Sequence, residues 1–313
     1  MTSQLTSQTE TSPQDPYNPH SAGPATTSVP RPLYWSVRRE IWENRSIYLA
    51  PLIVAAVVLF ASSLSMIGLS KKVQDAAADP VKQHALIFRH YGMAPVPIMF
   101  ITFIVGFFYS LDALYGERRD RSILFWKSLP VSDRTAVLSK AVIPLVILPL
   151  IAFVLGEVTQ FFVLLLNTAV LAANGLSAAA LWSEFHLFQE PLVAGYHLMA
   201  HVLYLAPLCG WLLLVSAWAR RTPLLWALLP PFAIGVIERI VFNSKYSLAL
   251  LNNRVMGAME ASFTAEGQHG MPDRLSQITP LSLLTAPGLW IGLLFTALFL
   301  AAAVRVRRSR EPL

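Results

Sequence analysis

The chain has 313 residues, of which 55% are hydrophobic and only 13% are charged, and it carries a formal net charge of +6. Soluble domains carry charge on about a quarter of their residues, so this composition and a mean hydropathy of +0.52 argue against a soluble enzyme. We therefore predict a membrane protein. The single cysteine, Cys209, excludes an intrachain disulfide.

Residues 1–32 form a polar segment that is rich in Ser, Thr, Gln and Pro. Such a segment has too few apolar side chains to offset the entropy cost of ordering, so we predict a disordered N-terminal tail. It contains no apolar run of the kind found in secretory signal peptides. The sequence assigns no role to this tail.

The next segment, residues 33–46, mixes aromatic and charged residues. Its apolar side chains recur at helical spacing while Arg38, Arg39 and Glu43 lie on other sides, and its Tyr and Trp content is typical of membrane interfaces. We predict an N-terminal elbow helix lying in the membrane interface, with lipid as its partner. The alternative is a short cytosolic extension of the following helix. The apolar positions are Leu33, Tyr34, Val37 and Ile41.

Six segments are long and apolar enough to cross the roughly 30 Å hydrocarbon core of a bilayer, which takes about 20 helical residues. They predict that residues 33–310 form an all-α, polytopic six-span domain. The fifth segment is the weakest, because Pro230 and Pro231 interrupt it, although neighbouring helices can satisfy the freed carbonyls. The segments are 47–69, 95–114, 141–172, 197–219, 223–242 and 286–304.

The basic residues lie mostly on one side of these spans. With the N-terminus inside, 16 of the 24 Lys and Arg residues fall in the two termini and in the loops after the second and fourth spans. Cytoplasmic segments carry such an excess, so we predict that both termini and the loop 115–140 are cytoplasmic. This topology explains the net positive charge, so no nucleic-acid partner is predicted. The sixteen are Arg31, Arg38, Arg39, Arg45, Arg118, Arg119, Arg121, Lys127, Arg134, Lys140, Arg220, Arg221, Arg305, Arg307, Arg308 and Arg310.

The loop 115–140, here called the coupling loop, is both charged and apolar. No helix breaker occurs from Glu117 to Ser128, and Pro130 ends the predicted helix near Leu129. Exposing its large apolar side chains to water would forgo about 1.5–3 kcal/mol each. Physical reasoning favours two readings equally: a helix lying on the lipid surface, or a helix that docks on a cytosolic partner.

The coupling loop resembles the cytoplasmic loop of ABC transporter permeases of the type-2 exporter class. In that class a Glu-Arg pair, a Ser followed seven positions later by Leu-Pro-Val-Ser, and a Ser-Lys pair come after the second span. The matching positions are Glu117-Arg118, Ser122, Ser128-Leu129-Pro130-Val131-Ser132 and Ser139-Lys140.

The resemblance implies a transmembrane permease that couples ATP hydrolysis, by a separate ATPase subunit, to export across the cytoplasmic (inner) membrane. It implies a second permease copy or a sister permease. It also implies that ATP and Mg²⁺ bind the ATPase, with no cofactor on this chain. The helix of the coupling loop would be the coupling helix, which docks on the ATPase. The implied contact residues are Glu117, Arg118, Arg121, Ser122, Phe125, Trp126, Leu129 and Pro130.

A survey for catalytic signatures predicts that the chain is not an enzyme. It contains no phosphate-binding Gly-x-x-x-x-Gly-Lys-Ser/Thr loop, no His-Glu-x-x-His and no Gly-x-Ser-x-Gly. His197 and His201 stand four positions apart and are weak candidates for a metal site; the alternative is two interface histidines. A membrane-embedded enzyme and a structural or regulatory subunit that transports nothing remain the alternative functions.

Two polar residues fall deep within the third predicted span. Glu157 lies roughly 25 Å along a straight helix from Lys140, and Gln160 follows one turn later. A carboxylate at that depth is costly and points to function, so both residues are candidates for the translocation path. The competing interpretation is a structural hydrogen bond between two helices.

Overall fold

A computed structural model describes residues 32–65, 92–122, 131–175, 182, 188–264 and 275–309. Within these ranges the regular elements are helices, and the one extended pairing is an isolated bridge between Phe263 and Ile278. Six of the described helices are long and apolar enough to cross a membrane. The all-α fold class and the number of candidate spans are therefore confirmed.

The helices are numbered here in chain order. A π-helical segment joins α5 to α6, so that one continuous helix of 41 residues runs from Asp133 to Ala173. The bounds are α1 Pro32–Glu43, α2 Ser46–Ser65, α3 Pro95–Asp112, α4 Tyr115–Arg119, α5 Asp133–Val142, π-helix Ile143–Ile147, α6 Leu148–Ala173, α7 Gln189–Trp218, α8 Pro223–Val241, α9 Tyr246–Ser262, α10 Pro280–Thr285 and α11 Pro287–Ser309.

Proline positions explain several of these bounds. A proline at the first helical position loses no hydrogen bond, because the N–H that it lacks has no partner within the helix. Pro144 and Pro149 lie inside the long third span, where each removes a backbone donor, and the π-helical segment lies between α5 and α6 at this point. The helices that begin with proline are α1, α3, α8, α10 and α11.

Three helices extend beyond the predicted apolar segments. The third span begins at Asp133 rather than at residue 141, α7 begins at Gln189 rather than at 197, and α11 continues to Ser309 rather than to 304. Each predicted apolar segment ends at the first polar residues, whereas the helical backbone hydrogen bonds continue beyond them. In α5 this extension is also buried, since Val137 and Lys140 face the protein interior.

Helix α9 has no counterpart among the predicted spans. The carboxylate of Glu238, near the end of α8, accepts hydrogen bonds from the backbone N–H of Ser247 (2.8 Å) and from that of Tyr246. It also accepts one from the hydroxyl of Ser244 (2.6 Å). These contacts satisfy donors of the first turn of α9, which otherwise have no helical partner. Glu238 therefore fixes the turn between α8 and α9.

Helices α7 and α11 pack closely against each other. A Cβ atom at Gly210 of α7 would lie 3.4 Å from the Cα of Thr296 in α11, so the two backbones touch here. Small residues permit such approach between spans. In α8 the carbonyl of Ala227, which Pro231 deprives of its helical donor, instead accepts from the indole N–H of Trp211 (3.1 Å).

Candidate functional site

Six charged side chains from four helices meet beside the end of the second span. We call them the charged cluster. Three are acidic and three are basic, so the cluster is neutral as a whole. The members are Arg39 and Glu40 of α1, Glu117 of α4, Asp133 and Lys140 of α5, and Arg307 of α11.

Lys140 bridges the two most buried acids of the cluster. Its Nζ lies 2.9 Å from Oε1 of Glu40 and 3.1 Å from Oε1 of Glu117. The other oxygen of Glu40 accepts a hydrogen bond from the hydroxyl of Tyr109 on α3 (2.8 Å), and Arg39 donates to Oε1 at 2.8 Å. Glu40 thus ties α1 to both α3 and α5.

Glu117 contacts all three cations of the cluster. Besides Lys140 it contacts Arg307 through Oε2, and Arg39 Nη2 lies 3.5 Å from its Oε1. The guanidinium of Arg307 also reaches Asp133, with Nε 3.2 Å from Oδ1. One carboxylate of the coupling loop is therefore bound to cations from three other helices.

Burial makes the pairing in this cluster obligatory. Glu40 is 1% exposed, Lys140 3%, Arg307 5% and Glu117 9%. An isolated buried charge costs several kcal/mol, and only well-placed counter-charges and hydrogen bonds offset that cost. An apolar group lies beside it, made of Leu114, Val137, Ala217 and Ala303. The cluster therefore holds these helix ends in one defined arrangement.

Arg118 forms a second attachment of the coupling loop. Its guanidinium donates to the carbonyls of Ser216 (2.8 Å) and Ala219 (2.6 Å) at the C-terminal end of α7. The hydroxyl of Ser216 in turn accepts from the backbone N–H groups of Leu114 (3.0 Å) and Tyr115 (2.9 Å). Both helix ends thereby satisfy groups that have no partner within the helix. Helix α4 is locked onto α7.

The first described part of the coupling loop ends at Ser122, and the second begins at Val131. Helix α4 stops at Arg119, because Arg121 has a φ of 56°, in the left-handed region. This differs from the continuous helix expected from Glu117 to Ser128. The hydroxyl of Ser122 donates to the carbonyl of Glu117 (3.3 Å). Four implied contact residues, Phe125, Trp126, Leu129 and Pro130, lie outside the described residues.

The implied contact residues that are described fall into two groups. The side chains of Glu117 and Arg118 are buried and bind other parts of this chain. Arg121 is exposed and Ser122 is half-buried. Contact with a partner stays a prediction for all of them, and the first two side chains have an internal role whatever the partner does.

A cavity of about 350 Å³ adjoins the charged cluster. Its lining includes Trp35, Arg39 and Arg307. Pro32 and Val131, also in the lining, are the first described residues after the N-terminal tail and after the undescribed part of the coupling loop.

The two polar residues of the third span have different surroundings. Gln160 donates from Nε2 to Oε2 of Glu190 on α7 (3.3 Å). Glu157 is half-buried and makes no hydrogen bond or ion pair with the residues that the structure describes. Gln160 therefore has the helix-to-helix hydrogen bond that was the competing interpretation of Glu157. Among the described residues, no such hydrogen bond explains the carboxylate of Glu157.

His197 and His201 lie on one side of α7, with ring centroids 5.9 Å apart. They line a second cavity, of about 450 Å³, between α3, the start of α6 and α7. Its other lining residues are mostly apolar, with Phe100 and Phe103 among them. No group of three metal-ligating side chains occurs among the described residues. The pair remains a weak metal candidate.

The sequence did not predict that these six charged residues meet in one cluster. The usable signal was the presence of acidic residues such as Glu40 and Glu117 in segments that are otherwise basic. Spacing along the chain gives no indication that Lys140 and Arg307 would approach the same carboxylate. Tyr109 and Ser216 carry no signal, because each looks like an ordinary polar residue of an apolar span.

Six helices long and apolar enough to cross a bilayer fit a multi-pass membrane protein. This is the class of protein that the fold supports. No family model, no curated protein and no solved structure matches the chain.

Proposed function

We propose that the chain is the transmembrane permease subunit of an ATP-driven exporter of the ABC type-2 class, whose cytoplasmic loop the coupling loop resembles. The observation that carries the proposal is the attachment of that loop. Glu117 and Arg118 attach its first part to α11 and α7, while Asp133 and Lys140 attach its last part to α11 and α1. Force applied between these anchors reaches three other helices, α1, α7 and α11.

This arrangement gives the Glu-Arg pair of the coupling loop a physical purpose. Glu117 enters the charged cluster and the adjacent Arg118 enters the carbonyl groups of α7, so consecutive side chains brace the loop on two sides. An ATPase that displaces the coupling helix would move the ends of the spans as a group. The residues offered to the ATPase are then Phe125, Trp126 and Leu129, together with the exposed Arg121.

The membrane and its orientation follow from the same proposal. The chain lies in the cytoplasmic membrane with both termini on the cytoplasmic side, because the basic residues flank that side of the spans. Helix α1 lies in the membrane interface. A second permease copy or a sister permease completes the transporter. ATP and Mg²⁺ bind the ATPase, and this chain binds no cofactor.

Glu157 belongs to the translocation path in this proposal, with Gln160 beside it. An unpaired carboxylate in a span is costly unless it meets water or cargo. The absence of an ion-pair partner among the described residues supports this assignment. Gln160 would shape the path indirectly, through its hydrogen bond to Glu190.

The decisive experiment measures retention of the ATPase. The tagged chain is co-expressed with ABC ATPases of its source and purified in mild detergent, as wild type, as Trp126→Ala and as Phe188→Ala. Phe188 is an exposed aromatic residue just before the N-terminal end of α7, the end away from Arg118, and serves as the matched control. We expect Trp126→Ala to weaken docking by about 2–4 kcal/mol, the range for a buried aromatic anchor, while Phe188→Ala retains wild-type binding.

Two results would reject the proposal. The first is purification of the wild-type chain, folded and monodisperse, without any ATPase. The second is equal retention by wild type and Trp126→Ala combined with poor membrane insertion of the variant, which indicates a helix on the lipid surface. Retention without turnover in liposomes favours the structural or regulatory subunit instead.

A further inference from the structure

The outward face of α1 carries an arginine between two tryptophans. The Cζ atom of Arg38 lies 4.5 Å from the ring centroid of Trp42 and 5.3 Å from that of Trp35. The two indoles are 66% and 58% exposed. Glu40, on the opposite side of the helix, points into the charged cluster. We call Trp35, Arg38 and Trp42 the aromatic clamp.

On this face of α1 the two tryptophans stay exposed and Arg38 is half-buried between them, while Trp35 also lines the cavity beside the charged cluster. Val37 and Ile41, two of the positions that predicted an interfacial helix, pack instead against the core group around Ile47 and Tyr109. The apolar side chains that remain exposed are mainly aromatic. The face directed away from the bundle therefore presents a cation flanked by two indoles. It is not a continuous apolar stripe.

Arg38 also lacks the anionic partners of its neighbour. Arg39 forms ion pairs with Glu40, Glu43 and Glu117. Arg38 forms no ion pair or hydrogen bond within the part of the chain that the structure describes. A guanidinium stacked on aromatic faces keeps its N–H donors at its edge, in a planar array that matches the oxygens of a phosphate group.

The position of the aromatic clamp along the chain indicates which anion lies near it. Helix α1 ends at Glu43, and α2, which is apolar enough to cross a membrane, begins at Ser46. Arg38 is only eight residues before that start, so it lies close to the point where α2 begins. Tryptophan rings favour the headgroup level of a bilayer. Lipid phosphates are the anions concentrated at that level.

We infer that the aromatic clamp binds the headgroup phosphate of an anionic phospholipid, with Arg38 as the ligand and the two indoles holding its guanidinium in place. Arg45, exposed and only two residues beyond α1, adds positive charge beside it. This inference rests on the interfacial placement of α1 in the proposed function and is independent of transport. A bound anionic lipid would hold α1, and through Glu40 the charged cluster, at a fixed height.

The test uses the full chain in nanodiscs of phosphatidylcholine that contain a minority of phosphatidylglycerol with a photoreactive headgroup. After irradiation, mass spectrometry quantifies the lipid attached to the peptide that contains residues 33–46. We expect Arg38→Gln to lower this labelling about fivefold, the loss expected for one basic residue near an anionic surface. Trp42→Ala should lower it about threefold, and Arg38→Lys should give an intermediate value.

Arg134→Gln is the matched control, because Arg134 is an exposed arginine of α5 outside the clamp and its loss changes the net charge equally. It should leave the labelling unchanged. An equal loss in Arg134→Gln and Arg38→Gln would overturn the inference in favour of general electrostatic attraction. Unchanged labelling in Arg38→Gln would overturn it directly, whether or not an ATPase binds.

Two further arms identify the anion and the partner. An excess of soluble glycerol 3-phosphate, added before irradiation, should not lower the labelling, and complete loss of labelling would mean that free phosphate esters are the ligand. A photoreactive phosphatidylcholine should label the peptide less than the anionic lipid does. Loss of ATPase retention in Arg38→Gln with wild-type lipid labelling would make this face a protein-docking surface and reject the lipid.

Discussion

The ammonium group of Lys140 lies 2.9 Å from the carboxylate of Glu40, a residue 100 positions earlier in the chain, and both side chains are almost fully buried. The pair joins the helix before the first span to the helix that leads into the third. Since both groups have left water, each depends on the other and on the rest of the charged cluster.

Lys140→Met should therefore destabilise the protein by about 3–5 kcal/mol, because it leaves buried carboxylates without a counter-charge. The double variant Lys140→Met/Glu40→Gln restores the charge balance and should recover part of this loss. The measurement is unfolding of the detergent-solubilised chain. Arg134→Met, which removes an exposed cation from the same helix, should stay within about 0.5 kcal/mol of wild type. A double variant no more stable than the single one would contradict this account.

Arg118→Met should cost about 1.5–3 kcal/mol, the range for a hydrogen bond to a charged group, since the carbonyls of Ser216 and Ala219 lose their donor. The same measurement of unfolding applies. Arg119→Met is the control: its side chain is exposed and pairs only with exposed acids, so its loss should cost much less than the loss of Arg118. Equal effects of the two substitutions would show that the attachment of α4 to α7 adds no stability.

Glu157 can be tested without knowledge of the cargo. In a Cys209→Ala background, Glu157→Cys should react with a charged, membrane-impermeant thiol reagent, because a translocation path contains water. Val158→Cys is the matched control: it is the next residue, it is exposed on the spans, and it should meet lipid and resist labelling. Equal protection of both cysteines would place Glu157 outside any aqueous path.

Glu157→Gln should leave the unfolding free energy within about 0.5 kcal/mol of wild type, because the carboxylate has no partner to lose among the described residues. Gln160→Leu, by contrast, removes the hydrogen bond to Glu190 and should cost about 0.5–1.5 kcal/mol. The comparison uses unfolding in one detergent. A larger loss in Glu157→Gln than in Gln160→Leu would reverse the two roles.

The topology can be checked with single cysteines at Ser309 and Ser183, again without Cys209. We expect an impermeant reagent added to intact cells to label the cysteine at 183 and to spare the cysteine at 309. The reason is the excess of basic residues at the C-terminal end and their absence from the loop 173–196. Labelling at 309 from outside would reverse the orientation, and with it the cytoplasmic placement of the coupling loop.

The sequence by itself determined the class of fold. Apolar runs of about 20 residues are a local property, and a bilayer admits them only as helices whose backbone groups are satisfied internally. The predicted starts of the second, fifth and sixth spans, at residues 95, 223 and 286, coincide to within one residue with the starts of α3, α8 and α11.

Only the tertiary structure decided which polar residues are internal. Glu117 and Arg118 look like exposed loop residues until α7 and α11 supply Arg307 and two free carbonyls from distant parts of the chain. The start of α9 likewise depends on Glu238, which belongs to the preceding helix. Buried charges are stable only where their partners converge, and that convergence is set by the packing of helices, which no spacing along the chain records.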